Sequence, residues 1–139
     1  MPKQLNNIER KWYALDAKDQ VLGKLATEIA KYLTWKNKVD FAKHVDNGDY
    51  VVVLNASKFV TTWKKEEDKL YRTHSWYLGW VKEANLKELR AKKPFRALEL
   101  AISGMLPKNK LRKNMLARLK LVEWENHDFQ AQKPIEVKL

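Results

Sequence analysis

Tyr50-Val51-Val52-Val53-Leu54 is an unbroken apolar run with three β-branched residues at its centre. A short run without polar alternation marks a strand covered on both faces, as in a parallel sheet. Upstream, Val21-Leu22-Gly23-Lys24-Leu25-Ala26-Thr27-Glu28-Ile29-Ala30-Lys31-Tyr32-Leu33 carries apolar residues at 22, 25, 26, 29, 32 and 33. That spacing predicts an amphipathic helix with one buried face. Before it, Trp12-Tyr13-Ala14-Leu15-Asp16 reads as a short strand ending in an acidic turn. Strand, helix, strand in this order predicts a right-handed parallel crossover, and hence an α/β class.

Downstream the pattern is less regular. Residues 57–73 suggest two short strands, Lys58–Thr61 and Lys69–Arg72, around the charged turn Lys64-Lys65-Glu66-Glu67-Asp68. Residues 74–82 read as an irregular aromatic loop, and Leu86–Lys92 as a short helix. Pro94 suits the first turn of the next helix, where its missing N–H is not needed. In that helix Leu98, Ala101, Ile102 and Met105 share one face, with Gly104 near its end. Leu111–Leu116 reads as a basic helical turn and Leu119–Val122 as a last strand or extended piece. Residues 1–11 and 123–139 are polar and read as loose arms of one domain spanning 1–139.

Composition limits the function classes. The chain has 139 residues, 28 Lys and Arg against 17 Asp and Glu, and a formal net charge of +11. Such a field speeds association with nucleic acid or anionic membranes but says nothing of fold. No apolar run approaches the ~18 residues of a membrane span. The start, MPKQLNNIERKW, lacks the apolar core of a signal peptide. There is no cysteine, which removes disulfides and thiolate metal sites and fits a reducing compartment.

The charge is concentrated. From Met105 to Lys120 there are six Lys or Arg (Lys108, Lys110, Arg112, Lys113, Arg118, Lys120) and no acid. Like charges crowded in this way do nothing for folding, so their reason lies in an external polyanion. Lys36, Lys38 and Lys43 form a second basic loop, with His44 beside it, and Lys64, Lys65 and Lys69 a third. Tyr71, Arg72, His74, Tyr77 and Lys82 interleave rings with charge, which suits stacking on unpaired bases. No helix-turn-helix, zinc finger or paired aromatic RNP strands are present, so recognition is expected to be of RNA shape and backbone. Gly23-Lys24 lacks the upstream glycine and the Ser/Thr of a phosphate loop. His44, His74 and His127 have no metal-ligand spacing, and no catalytic residues, metal or cofactor are expected. His44 with Asp46 and Asp49 could make an acid–base pair, but a locally bonded or phosphate-touching loop histidine is the simpler reading.

Five blocks in order carry a family resemblance. They are Trp12-Tyr13-x-x-Asp16-Ala17, Leu22-Gly23-x-Leu25-Ala26, His44-Val45-Asp46-x-Gly48-Asp49-Tyr50-Val51-Val52-Val53-x-Asn55-Ala56, Asp68-Lys69-x-Tyr71 and Gly104-Met105-Leu106-Pro107-Lys108. Together, over residues 11 to 133, they resemble the bacterial large-subunit ribosomal protein L-thirteen family. The resemblance implies a three-layer α/β/α sandwich around a small, mostly parallel four-stranded sheet with basic extensions. It implies a non-enzymatic, cytoplasmic role on the ribosome, in early subunit assembly. The implied partners are large-subunit ribosomal RNA and neighbouring large-subunit ribosomal proteins, with no membrane and no small-molecule substrate. Lys108, Lys110, Lys113 and Arg118 match the family's RNA-facing segment. Two alternatives are an extra-ribosomal RNA-binding translational regulator and a small nucleotide-binding α/β enzyme; the absent phosphate loop argues against the second.

The departures from the family pattern are themselves informative. Trp35, Trp63, Trp76, Trp80 and Trp124 each stand where the family has glycine, and Arg112 does too. Loop glycines supply positive φ or close backbone approach. The tryptophans are expected to be glycine codons (UGA) translated with a code that reads UGA as tryptophan. The competing reading is a divergent set of aromatic loops that stack on RNA. Arg112 does not fit that reassignment.

Overall fold

A computed structural model describes residues 9–39 and 41–138 of the chain. Strand β1 is Trp12–Asp16, helix α1 Leu22–Leu33 and strand β2 Tyr50–Leu54. After a helical turn α2, Lys65–Asp68, come strands β3, Leu70–His74, and β4, Val81–Asn85. Helices α3, Leu86–Lys92, α4, Arg96–Met105, and α5, Arg112–Ala117, lead to strands β5, Leu119–Leu121, and β6, Ile135–Val137. The main sheet has order β5-β2-β1-β6, and all three pairings are parallel. The class is α/β, a sandwich built on a four-stranded parallel sheet.

Pleating decides what each face buries. Leu15, Val51 and Val53 project to one face, where Leu22, Leu25, Ala26, Ile29 and Leu33 of α1 meet them. The helix positions predicted from spacing are buried except Tyr32, which is half-buried and packs at the edge of this core. Ala97, Leu98 and Ile102 of α4, with Leu86, Leu106 and Met115, complete the same cluster. Each fully buried Val, Leu, Ile or Met side chain among these contributes about 1.5–3 kcal/mol, the alanines less. Arg90 ties α3 to the chain before it: its guanidinium bonds Glu66 and the carbonyls of Ser57 and Phe59, and lies over the Phe59 ring.

On the other face, Trp12 stacks on Tyr50 at 4.3 Å, and Phe129 stacks on Trp12 at 5.5 Å. The C-terminal segment, with a single 3-10 turn at Gln130–Gln132, packs through Phe129 on this face, where Ala14 and Val52 are buried outside the main cluster. Within 123–139, expected as a loose arm, the described residues 123–138 instead supply this cover and the edge strand β6. The polar sequence hides this because an edge strand of three residues, mostly exposed, has little to bury. Residues 1–8 of the other expected arm lie outside the described residues; Lys11 is anchored by its N–H donating to Asp49.

The expected strand at Lys58–Thr61 reduces to one bridge between Val60 and Val21. The expected loop at 74–82 is the tip of an antiparallel ribbon, β3 with β4. Most of the ribbon's residues are exposed, so no hydrophobic pattern announces β4; main-chain bonds and the cross-strand pair Arg72–Glu83 at 2.7 Å hold it.

Three turns stand apart in their backbone geometry. Trp35, Trp63 and Trp76 have φ of 55°, 63° and 68°. A bulky side chain in the left-handed region costs about 1–2 kcal/mol.

Candidate nucleic-acid interface

The C-terminal end of α4 is the hub. Beyond it the chain turns at Pro107, where Asn109 N–H donates to the Pro107 carbonyl at 3.0 Å. Arg112 locks this turn: Nε donates to Pro107 O at 3.1 Å and Nη2 to Leu106 O at 3.0 Å. Half-buried and committed to the main chain, Arg112 shapes the segment. Lys108, Lys110 and Lys113 are left exposed around it.

Two grooves bring the other basic loops to this hub. One, of about 760 Å³, is lined by Trp35, Lys36, Phe41, Lys43, Met105 and Pro107 among others. The second, of about 490 Å³, is lined by Gly23, Thr62, Lys65, Lys69 and Met105 among others. Met105, 45% exposed, belongs to both. The described residues of the 36–39, 41–43, 64–69 and 105–113 segments, far apart in sequence, thus come together around the end of α4. Lys64 and His44 are exposed beside them.

Other predicted residues behave differently. Arg118 is 5% exposed and makes a bidentate pair with Asp46, at 2.7 and 2.5 Å. It pins the 44–49 loop to β5 and does not face solvent, which corrects its expected place on the outer surface. Gly48 makes room for this pair, since a Cβ there would lie 2.6 Å from Arg118 Nη2 and collide with the Leu33 carbonyl. Lys38 is half-buried and bonds Asp49 at 2.7 Å. Lys120 alternates with the core-facing Leu119 and Leu121, so it stands on the opposite sheet face from α1, away from the grooves. Arg72 is exposed on the ribbon, where its pair with Glu83 is the kind of interaction worth under about 1 kcal/mol and open to competition from phosphate. His74 accepts the Trp76 N–H at Nδ1 (2.9 Å). Tyr71 sits half-buried at the core edge with Lys69 over its ring at 5.4 Å, while Tyr77 is exposed at the ribbon tip.

The Asp46 and Asp49 carboxylates are thus spoken for by Arg118 and Lys38, and His44 has no acid–base partner there. Sequence reasoning named Asp46 and Asp49 only as possible partners of His44 and missed both as the framework of the basic loop; the run Asn47-Gly48-Asp49 is buried, which no local sequence pattern records. Burial first, and Asp49 nearby second, push the Tyr13 phenol above its ordinary pKa. Among the described residues, only three of the thirteen predicted Lys and Arg (Lys38, Arg72, Arg118) reach a carboxylate. Among these residues no cluster of three His, Asp or Glu could hold a metal ion, and no helix is long and apolar enough to cross a membrane.

Residues 10–128 match the family described as Ribosomal protein L13. The chain is 49% identical to the large ribosomal subunit protein uL13 of Ruminiclostridium cellulolyticum, over 91% of this chain and 88% of the relative. It is 48% identical to the protein of that name from Clostridioides difficile, over 92% and 90%. For the one from Nitratidesulfovibrio vulgaris the figures are 46%, 96% and 92%. These relatives carry the name of a structural ribosomal component and not of an enzyme.

Proposed function

The chain belongs to the ribosomal protein L13 family, and from that membership we propose that it is a structural, non-enzymatic component of the large ribosomal subunit. It binds large-subunit ribosomal RNA through the groove-flanking face, supports early subunit assembly, and abuts neighbouring subunit proteins on the cytoplasmic ribosome. The observation that supports the RNA reading is the convergence of three lysine-bearing segments on Met105. Among the described residues Lys36, Lys43, Lys64, Lys65, Lys69, Lys108, Lys110 and Lys113 enter no ion pair, although Asp68 lines the second groove beside Lys65 and Lys69. Lysines placed this way neutralise phosphates and release counterions, so binding weakens steeply with salt, by roughly 0.9 log units per log salt for each duplex phosphate.

The phosphate-facing set is Lys36, Lys43, His44, Lys64, Lys65, Lys69, Arg72, His74, Lys108, Lys110 and Lys113, with Arg112, Lys38 and Arg118 holding the loops that carry them. Replacing Lys108, Lys110 and Lys113 with Ala is expected to weaken binding to large-subunit RNA. It should also lower the salt slope by about 1 for each phosphate that is no longer neutralised. Equal affinity and an equal slope, measured by filter binding across a salt series, would remove this segment from the interface.

A further inference from the structure

Six non-glycine residues among those described have positive φ: Asp19, Trp35, Asn55, Trp63, Trp76 and Lys133. Asp and Asn are ordinary in that region, whereas a bulky residue there is an outlier. Half of the six are tryptophan. Trp35 occupies a position with a defined requirement. Its N–H donates to Tyr32 O and the next N–H, of Lys36, to Lys31 O, both at 3.1 Å. With Thr34 as the C-cap, this is the Schellman pattern, whose left-handed residue is usually glycine. The Trp35 ring is buried, but Trp63 and Trp76 gain nothing from packing in return for their geometry, being 92% and 95% exposed. Trp76 shares its turn with Gly79, at φ 77°. A ring meant to stack on RNA needs no left-handed backbone, so RNA binding does not explain the coincidence. Only four glycines are present, where the usual ~7% gives about ten.

We infer that positions 35, 63 and 76 are glycine in the protein as its cell makes it, because that cell decodes UGA as glycine. A codon reading acts on every instance. Trp80 and Trp124, 64% and 66% exposed, also stand where the family pattern has glycine, and wherever they are encoded by UGA they are glycine as well. Trp12 is a true tryptophan, since it is stacked between Tyr50 and Phe129 and lies in ordinary strand geometry. The turns at 35, 63 and 76 are then unstrained, and the ribbon tip exposes Tyr77 and Leu78 between bare glycines.

The gene's codons and the protein's mass test this. UGA at all five positions and UGG at Trp12 are expected. In protein isolated from the native cells, the tryptic peptide Thr73–Lys82 should have the mass of glycine at both 76 and 80. UGG at a position overturns the inference for that residue; tryptophan in the peptide overturns it as a whole. Independently, the double variant Trp63→Gly, Trp76→Gly should unfold at a higher temperature than the tryptophan form. An unchanged or lower midpoint would remove the strain on which the inference stands. None of these readouts depends on RNA binding.

Discussion

Arg118 and Lys113 lie in one short stretch and carry the same charge, yet burial gives them opposite work. Arg118 is enclosed with Asp46, so Arg118→Ala leaves a partly buried carboxylate without its partner. Breaking such a pair costs about 3–5 kcal/mol, and the urea midpoint should fall accordingly. Lys113→Ala, on the exposed face, should stay within about 0.5 kcal/mol of the parent. If the two substitutions destabilised equally, the division between framework and surface cations would be wrong. Tyr13 offers a second residue-level test. Its raised pKa means the folded state holds the phenolic proton more tightly than the unfolded chain. The resulting stability is complete below the ordinary value of 10.0 and is lost as pH climbs from there through the folded pKa. Tyr13→Phe should therefore flatten the alkaline fall in stability relative to the parent, and identical alkaline profiles would contradict the assignment.

At the scale of elements, legibility followed burial. The run of valines in β2 and the stripe on α1 could be read because each has a large apolar face to hide, and the structure buries both. Helix α4 was placed within a residue or two for the same reason, whereas α3 and α5, each with one buried residue, were placed as closely without a large apolar face. Strand β4, Val-Lys-Glu-Ala-Asn, has no face to bury, and β6 is three residues at a sheet edge; main-chain pairing makes them, and no side-chain period records it. The basic loops were visible as charge, but sequence could not say that Arg118 turns inward, because nothing local links it to Asp46, 72 residues away. If β6 is structural, a chain ending at Lys133 should be less stable. The loss is a few ladder hydrogen bonds at about 1 kcal/mol each, plus a newly bared edge on β1. Urea unfolding measures this. A truncated protein as stable as the parent would return 134–139 to the status of a loose arm.

For the whole molecule, the question is whether a charge of +11 acts as a diffuse cloud or as an aimed surface. A diffuse field would make every exposed lysine equivalent toward RNA. The grooves on either side of Met105 argue for direction, because they gather Lys36 and Lys43 on one flank and Lys65 and Lys69 on the other. Lys133 and Lys138 flank β6 at the far sheet edge and serve as the comparison. Replacing Lys36 and Lys43 with Ala, or Lys65 and Lys69, should each lower the salt slope of RNA binding, by about 1 per phosphate released from its lysine. Because each neutralised phosphate frees its own counterions, the four-fold variant should show the sum of the two decrements. Replacing Lys133 and Lys138 removes the same net charge as either pair and should leave the slope where it was. Equal decrements from all three pairs would mean that total charge alone attracts the RNA, and that the convergence of loops on the end of α4 has no part in binding.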